Sequence, residues 1–364
     1  MKRRLRRGLA LPVAMLTVTI VVLFVAGSAF ATSQESRASV GALAERLALE
    51  TAEYGAVALL RDWDPAWNVV TPVGQTLGPF THALSGGAVA SVRLTRASWT
   101  TWWAVSDGNT GGAVTREARR SVSAVFRLDM PPPVIDAALA VTDSVRVTGT
   151  GTVVGTDSVE FLATCLGLPP VPIAGIAAPD PTKVTGLGGV TGAPPVITDA
   201  TVAQSLASLD SALTPDIIIP AGAIVTPAPA FAAGICDTAA TTNWGDPAGG
   251  ACGAHLPVIK ALGDLTVRGG VGQGILIVDG DVVFENGASF AGLVMVSDDF
   301  VTGAGGGSVS GAVIAGDVRR GAGDHTIVGS GGHIRRSSCR LRQARLAAAD
   351  PVRAKHRWWA EFDR

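Results

Sequence analysis

The sequence predicts an α+β protein. A long N-terminal hydrophobic, membrane-crossing helix precedes a β-rich body, made of a small antiparallel sheet and a C-terminal Gly-rich, β-solenoid-like repeat. Three observations carry this prediction. No charged side chain occurs from Leu9 to Ala31, so the run suits hydrocarbon about 30 Å thick. The chain holds 45 Gly and 21 Pro but only 5% aromatic residues, a composition that favours turns over helix packing. Near the C-terminus GILIVDGDVVFENGASF, GLVMVSDDFVTGAGGGS and GAVIAGDVRRGAGDH align on Ile275, Leu293 and Ala312, a period of about 18–19 residues.

The first element is the apolar helix. Lys2, Arg3, Arg4, Arg6 and Arg7 form a basic cluster ahead of it; the positive-inside rule keeps such a cluster cytoplasmic. A helix apolar all round has no polar face to show to water, which argues against a soluble core helix. Ala29-Phe30-Ala31 also fits a small-x-small cleavage site, so a removable signal peptide competes with a retained anchor. Beyond the span, QESRAS and ALAERLALETAEYGAVALLRDW continue without a breaker between Ser28 and Gly41. Ala42, Glu45, Leu49, Ala52, Ala56 and Leu60 recur at three- and four-residue spacing, which predicts one face of an amphipathic stem. Asp62-Trp63-Asp64-Pro65 ends it.

The junction Arg7-Gly8-Leu9, where charge stops at a glycine and the apolar run starts at once, resembles the class III signal of type IV pilins and pseudopilins. The segments RRGLALPVAML, QESRAS and AERLALETAEYG together resemble the N-terminal region of PilX-type minor pilins. The resemblance implies that a prepilin peptidase cuts between Gly8 and Leu9 and that the new N-terminus is methylated. It implies an inner-membrane helix through residues 9–31, N-terminus cytoplasmic and body periplasmic, which later packs with other pilins at the cell surface. One departure stands out. Counting from Leu9, the fifth position is Val13, where major pilins carry a glutamate that pairs with the N-terminus of the preceding subunit. That departure favours a minor or tip subunit over a major one.

The expected organisation is a leader at 1–8, a stem at 9–64, a small antiparallel region at 65–130, a solenoid-like body at 131–340 and a tail at 341–364. In the antiparallel region VASVRLTRAS, TTWWAVSDG and AVTREARRSVSAVFRL read as strands, with a turn at Asp107-Gly108-Asn109. Met130-Pro131-Pro132-Pro133 marks the boundary. VTDSVRVTGTGTVV reads as β, and the Pro, Ala and Gly-rich stretch from Gly167 to Ala233 reads as surface loop with one helix from Ala200. ALGDLTVRGG from Ala261 reads as a partial repeat unit. Units this short cannot bury an apolar face alone and stack on one another; a plain Gly-rich β-meander is the simpler alternative. The tail predicts a short helix, a break at Pro351 and a Trp-bearing end capping an open edge.

Cys165, Cys236, Cys252 and Cys339 form an even set, all beyond the apolar helix. An exported body permits disulfides. Cys236 and Cys252 bracket CDTAATTNWGDPAGGAC, making a local bridge the simplest pairing, and Cys165 and Cys339 are placed to tie the ends of the body together. No close CxxC pair points to zinc. Net charge is −1, so no global field draws in nucleic acid.

No catalytic constellation stands out. Asp279-Gly280-Asp281 and Asp298-Asp299 sit where tight turns need them, although oxygen-rich turns also suit Ca²⁺. His82, His255, His325, His333 and His356 lack metal-ligand spacing. GGVGQG precedes its strand, the wrong side for a dinucleotide loop. A β-helix enzyme needs a groove of carboxylates or bases, which small apolar repeats do not supply. The expectation is therefore a non-enzymatic minor pilin or pseudopilin, without cofactor or metal. Its partners are other pilins, the assembly machinery and the prepilin peptidase, not nucleic acid. The alternative is a secreted or membrane-anchored β-solenoid surface protein or adhesin.

Overall fold

The structure is a computed structural model that describes residues 10–111, 117–131, 136–157, 172–204, 206, 213–316, 326–353 and 361–362. Helix α1 (Ala10–Arg61) runs unbroken for 52 residues, about 78 Å at 1.5 Å per residue. Pro12 falls in its first turn, where a missing N–H costs nothing. A short α2 (Ala66–Val70) follows.

Strands β1 (Thr76–Ala83), β2 (Val89–Arg96), β3 (Thr101–Asn109) and β4 (Arg119–Asp129) pair antiparallel in sequence order. Asp107-Gly108-Asn109 is therefore the end of β3 and not a turn; Asp107 pairs with Ser91 and Ser121. The dipeptide resembles hairpin-turn chemistry, but a glycine inside a strand also marks close approach of another backbone, and here α1 makes that approach. Arg96 at the end of β2 is fully buried. It donates to the carbonyls of Thr71, Ser98 and Trp99 and lies 5.3 Å from the ring centroids of Trp99 and Trp102. Burial lowers its pKa to about 10.

The body is built from short strands: β5 (Ala137–Val141), β6 (Val145–Val147), β7 (Thr152–Val154), β8 (Ala174–Ala178), β9 (Val184–Thr185), β10 (Val190–Thr191), β11 (Val196–Thr198), β12 (Ile217–Ile219), β13 (Ala223–Val225), β14 (Phe231–Ala232), β15 (Ile235–Cys236), β16 (Val258–Ala261), β17 (Leu265–Arg268), β18 (Val271–Val278), β19 (Val282–Glu285), β20 (Ala288–Val296), β21 (Phe300–Thr302), β22 (Gly307–Ala315), β23 (Thr326–Val328) and β24 (His333–Arg336). Helix α3 (Ser338–Ala347), β25 (Asp350–Arg353) and β26 (Glu361–Phe362) end the chain.

From β16 to β24 successive strands alternate between two large parallel sheets, each pairing with the strand two places on; earlier in the body the spacing is longer, β5 pairing with β8, β6 with β9 and β12 with β16. The first sheet runs β12-β16-β18-β20-β22, continuing through β5, β8 and β11. The second runs β13-β17-β19-β21-β23-β6-β9. Ile275 pairs with Leu293 and Leu293 with Ala312, so the three repeat starts share one register. Gly274, Gly292 and Gly311 stack in the same ladder with positive φ of 109°, 138° and 147°. A Cβ on Gly292 would lie 2.0 Å from the Gly274 carbonyl oxygen, so only glycine fits that column.

Side chains alternate across the first sheet. Leu276, Val278, Val294, Val296 and Val313 face the interior core with Phe284, Phe290 and Phe300. Ile275, Ile277, Leu293, Met295 and Ile314 face outward and are covered by Leu341 and Ala344 of α3 and by Val202 and Leu213. Of the helix expected from Ala200, residues 202–204 are helical and 207–212 lie outside the described residues.

Two features depart from the linear organisation read from the sequence. First, β25 pairs with β4, Asp350 opposite Asp129, and β26 pairs with β4 as well. The antiparallel sheet thus takes strands from both sides of the body, and the parallel sheets are an insertion between β4 and β25. Pro351 lies within an edge strand instead of breaking the chain, a position that needs no donated ladder bond. Second, the stretch read as surface loop contains β8, every residue of which is buried. AGIAA is too short and too small-sided to declare itself; stacking on β5 makes it a strand.

The chain enters and leaves the insertion at one place. Arg336 pairs with Gly311, and Leu139 with Val313, so β24 and β5 lie end to end along β22. In the first sheet β5, β8 and β11 stack away from that point on one side, and on the other the strands from β12 to β22 stack back towards it. The junction with the antiparallel sheet is bonded by Asn68, whose Nδ2 donates to the carbonyls of Leu346 and Ala349 at 3.0 and 3.1 Å. Arg345 donates twice to the Pro131 carbonyl.

Candidate functional site: an apolar stem and its seat

Among the described residues, the N-terminal half of α1 packs against no other element. Residues 11–40 are all exposed, including Leu11, Leu16, Val21, Leu23 and Phe30, and Phe24 at 78%. The helix is long and apolar enough to cross a membrane. Its few hydroxyls are satisfied within the helix: Thr17 donates to the Val13 and Ala14 carbonyls, Thr19 to Met15, Ser28 to Val25 and Thr32 to Ser28. That arrangement needs no water, as hydrocarbon requires.

The C-terminal half is seated on β2, β3 and β4. The buried residues are Gly41, Ala44, Ala48, Thr51, Ala52, Gly55, Ala56, Ala58 and Leu59, mostly small side chains at helical spacing. Of the face expected from the sequence, Ala52 and Ala56 are buried, Leu49 and Leu60 are half-buried, and Ala42 and Glu45 are exposed. The true face overlaps the expected one at Ala52 and Ala56 and otherwise lies one position towards the N-terminus, at Gly41, Ala44, Ala48, Gly55 and Leu59. The sheet accepts the helix at Gly108, where a Cβ would lie 2.1 Å from the Ala48 carbonyl oxygen and 2.5 Å from the Ala52 nitrogen. From the other side, a Cβ on Gly55 would meet Ala90 Cβ and Ser106 Oγ, each at 2.6 Å. Two glycines, one on each element, set the closeness of the seat.

Polar groups frame it. Arg120 bridges to Glu45 on the stem at 2.7 Å. On the opposite face of the sheet, the buried Asp107 accepts from Ser121 Oγ and lies 3.2 Å from Arg93 and from Arg119. Burial opposes the charge on Asp107, but the Ser121 hydroxyl and the two guanidiniums outweigh it, holding its pKa below the ordinary 3.8.

Of the residues singled out from the sequence, Gly8 and Leu9 lie outside the described residues, and Val13 is an exposed residue of α1. Cys236 and Cys252 are disulfide-bonded. Cys339 at the start of α3 is also disulfide-bonded; Cys165, its expected partner, lies outside the described residues. The aspartates of the repeat act on turns: Asp264 Oδ1 accepts from the Asp281 N–H, and Asp281 Oδ1 from the Asp299 N–H, both at 3.0 Å. Among the described residues no group of three or more His, Cys, Asp or Glu is placed to hold a metal ion. Sequence reasoning missed the glycine–alanine seat. Its signal was the Gly41, Ala44, Ala48, Ala52, Gly55 spacing together with a glycine inside a strand.

No protein-family model matches the chain, and no curated protein matches it. Among solved structures, the competence-associated pilin ComZ from Thermus thermophilus aligns over 88% of this chain and 96% of its own, at 11% identity and a TM-score of 0.24. At that identity and score the likeness carries no argument about this chain.

Proposed function

We propose that this protein is a non-enzymatic, pilin-like subunit of a type IV filament system, a minor or tip subunit whose inserted body is displayed at the cell surface. The observation that carries the reading is α1: one continuous helix, bare and apolar in its first half and seated by small residues on an antiparallel sheet in its second. A removable signal peptide has no need to continue into the folded domain, whereas a retained stem does. Val13 supports the tip assignment, because a buried unpaired carboxylate costs several kcal/mol and a tip subunit has no preceding N-terminus to pair with one. The in-register column Gly274, Gly292, Gly311 supports reading the insertion as a β-solenoid.

The mature N-terminus tests the proposal. Mass spectrometry of the membrane-extracted protein is expected to give Leu9 as the first residue, N-methylated, and Gly8→Glu is expected to leave the precursor uncut. A mature protein starting at Thr32 would establish a secreted protein, and an intact Met1 a plain anchor; either result overturns the filament reading.

A further inference from the structure

Strand β16 pairs only with the second half of β18, from Ile275 on. Along the first half the loop from Pro227 to Pro257 takes the place of a strand. The Val271 N–H donates to the Pro227 carbonyl at 3.0 Å, the Gln273 N–H to Trp244 at 2.7 Å and the Ile275 N–H to Pro257 at 3.0 Å. Gln273 Nε2 donates in addition to the Gly253 and His255 carbonyls, each at 3.0 Å. Trp244 is fully buried against Phe290. Residues 244–257 are thus a base fixed to β18.

Residues 228–242 differ. None of them is buried, so this arm has no core of its own. It carries the β14–β15 hairpin, with Phe231 opposite Cys236 and Ala232 opposite Ile235. The Cys236–Cys252 disulfide ties it to the base. The fully buried Asn243 reinforces the tie. Its Nδ2 donates to the Asp237 carbonyl at 2.7 Å and lies 3.3 Å from Cys236 Sγ and 3.5 Å from Cys252 Sγ. Trp244 Nε1 donates to the Thr241 carbonyl at 3.2 Å. Within the arm, the Asp237 N–H donates to Ala230 at 2.9 Å and the Ala228 N–H to Thr242 at 3.0 Å. A segment with exposed hydrogen bonds and few buried apolar contacts lies at the low end of local stability; here a covalent bond stands in for the missing core.

We propose that Cys236–Cys252 is a redox latch: a dithiol reduces it and frees the 228–242 arm from a base that stays folded. The two sulfurs differ in access, Cys236 being half-buried and Cys252 fully buried. A thiolate of the reductant therefore attacks Cys236 Sγ, the S–S bond breaks, and its electron pair leaves on Cys252 Sγ. The reductant's second thiol then attacks the mixed disulfide and releases Cys236. Both cysteines end as thiols, with the two protons of the dithiol, and the reductant leaves as a disulfide. Asn243 Nδ2 is placed to donate to the departing Cys252 thiolate, and the Ala230 carbonyl, 3.4 Å from that sulfur, to accept from the thiol it becomes. Loss of a cross-link between residues 16 apart raises opening of the arm about a hundredfold. The inference does not rest on the stem being a pilin stem.

Hydrogen exchange of the detergent-solubilised full-length chain, with and without dithiothreitol, tests the latch. The expected result is exchange about a hundredfold faster at the Ala228, Asp237 and Asn243 amides, while Gln273 and Ile275 stay protected. Because Cys339 is also disulfide-bonded, the double variant Cys236→Ser, Cys252→Ser is measured without reductant and is expected to give the same pattern. Alkylation under native conditions is expected to label both Cys236 and Cys252 after dithiothreitol. A bridge that resists dithiothreitol until the chain is denatured would overturn the proposal. So would arm amides that exchange equally fast with the bridge intact. Gln273 and Ile275 accelerating together with the arm would overturn it too, since the bridge would then only hold the body folded.

Discussion

Gly108→Ala isolates what holds the stem to the sheet. Gly108 has no positive φ, so alanine brings no backbone strain of its own, and the whole effect comes from the new methyl group. That group would sit 2.1 Å from the Ala48 carbonyl oxygen and 2.5 Å from the Ala52 nitrogen. Both obstacles are main-chain atoms of an intact helix, which no rotamer change moves. Ordinary contact needs roughly 1 Å more, so α1 must lift from β3 and unseat Ala44, Ala48, Ala52 and Ala56 together. Overpacking typically costs about 1–3 kcal/mol, and a rigid backbone obstacle puts this case at the upper end, about 3 kcal/mol. Gly55→Ala meets only side chains, Ala90, Val92 and Ser106, and should cost less. Ala90→Gly should partly rescue Gly55→Ala, whereas Ala52→Gly should fail to rescue Gly108→Ala because the backbone stays in place. Gly27→Ala, with nothing within 4 Å, is the neutral control. Denaturant unfolding of the detergent-solubilised chain, followed by tryptophan fluorescence, to which the buried Trp102 contributes, measures all five variants. A Gly108→Ala stability within about 0.5 kcal/mol of wild type, or its rescue by Ala52→Gly, would refute the argument.

Two further perturbations probe the sheets separately. Asp107 has its pKa lowered on folding, so its contribution is present above the ordinary 3.8 and is lost as pH falls through the lower folded value. Asp107→Asn should therefore cost about 2 kcal/mol at pH 7, with the gap to wild type closing below about pH 4; a gap constant down to pH 2 would contradict the ion-pair account. Gly292→Ala combines a strained φ of 138° with a Cβ 2.0 Å from the Gly274 oxygen. It should cost about 3 kcal/mol or more and open the parallel body, not the stem seat, to limited proteolysis; unchanged protease resistance of the body would count against the stacked glycine column.

What the sequence revealed follows from where its signals are local. The apolar run, the end of the stem at Asp62-Trp63-Asp64-Pro65 and the repeat starts at Ile275, Leu293 and Ala312 are visible because each is carried by residues adjacent in the chain or at a fixed period. The helix face came out one position off at Ala42, Glu45, Leu49 and Leu60 because alanine recurs on several faces of this stem and spacing alone does not choose among them, while the real contact rewards absence of side chain at Gly41 and Gly55. β8 was hidden because Ala174 to Ala178 have no periodicity of their own and become a strand through β5. The return of β25 to β4 was hidden for a stronger reason. Asp129 and Asp350 are paired across the whole insertion, and nothing near either residue encodes the other.

That pairing gives the molecule a particular response to pulling. The inserted body is joined to the rest at two neighbouring points, the end of β4 and the start of β25, which leave the sheet from the same end. A tug on the body, wherever it is applied, draws both strands in one direction and does not slide either past the other. The strain falls instead on the boundary between β4 and β3, where Thr101 to Asn109 face Arg119 to Arg127 in continuous register. Bonds crossed lengthwise in this way must yield together and not one at a time. The body can therefore be dragged from outside without being unwound from its ends.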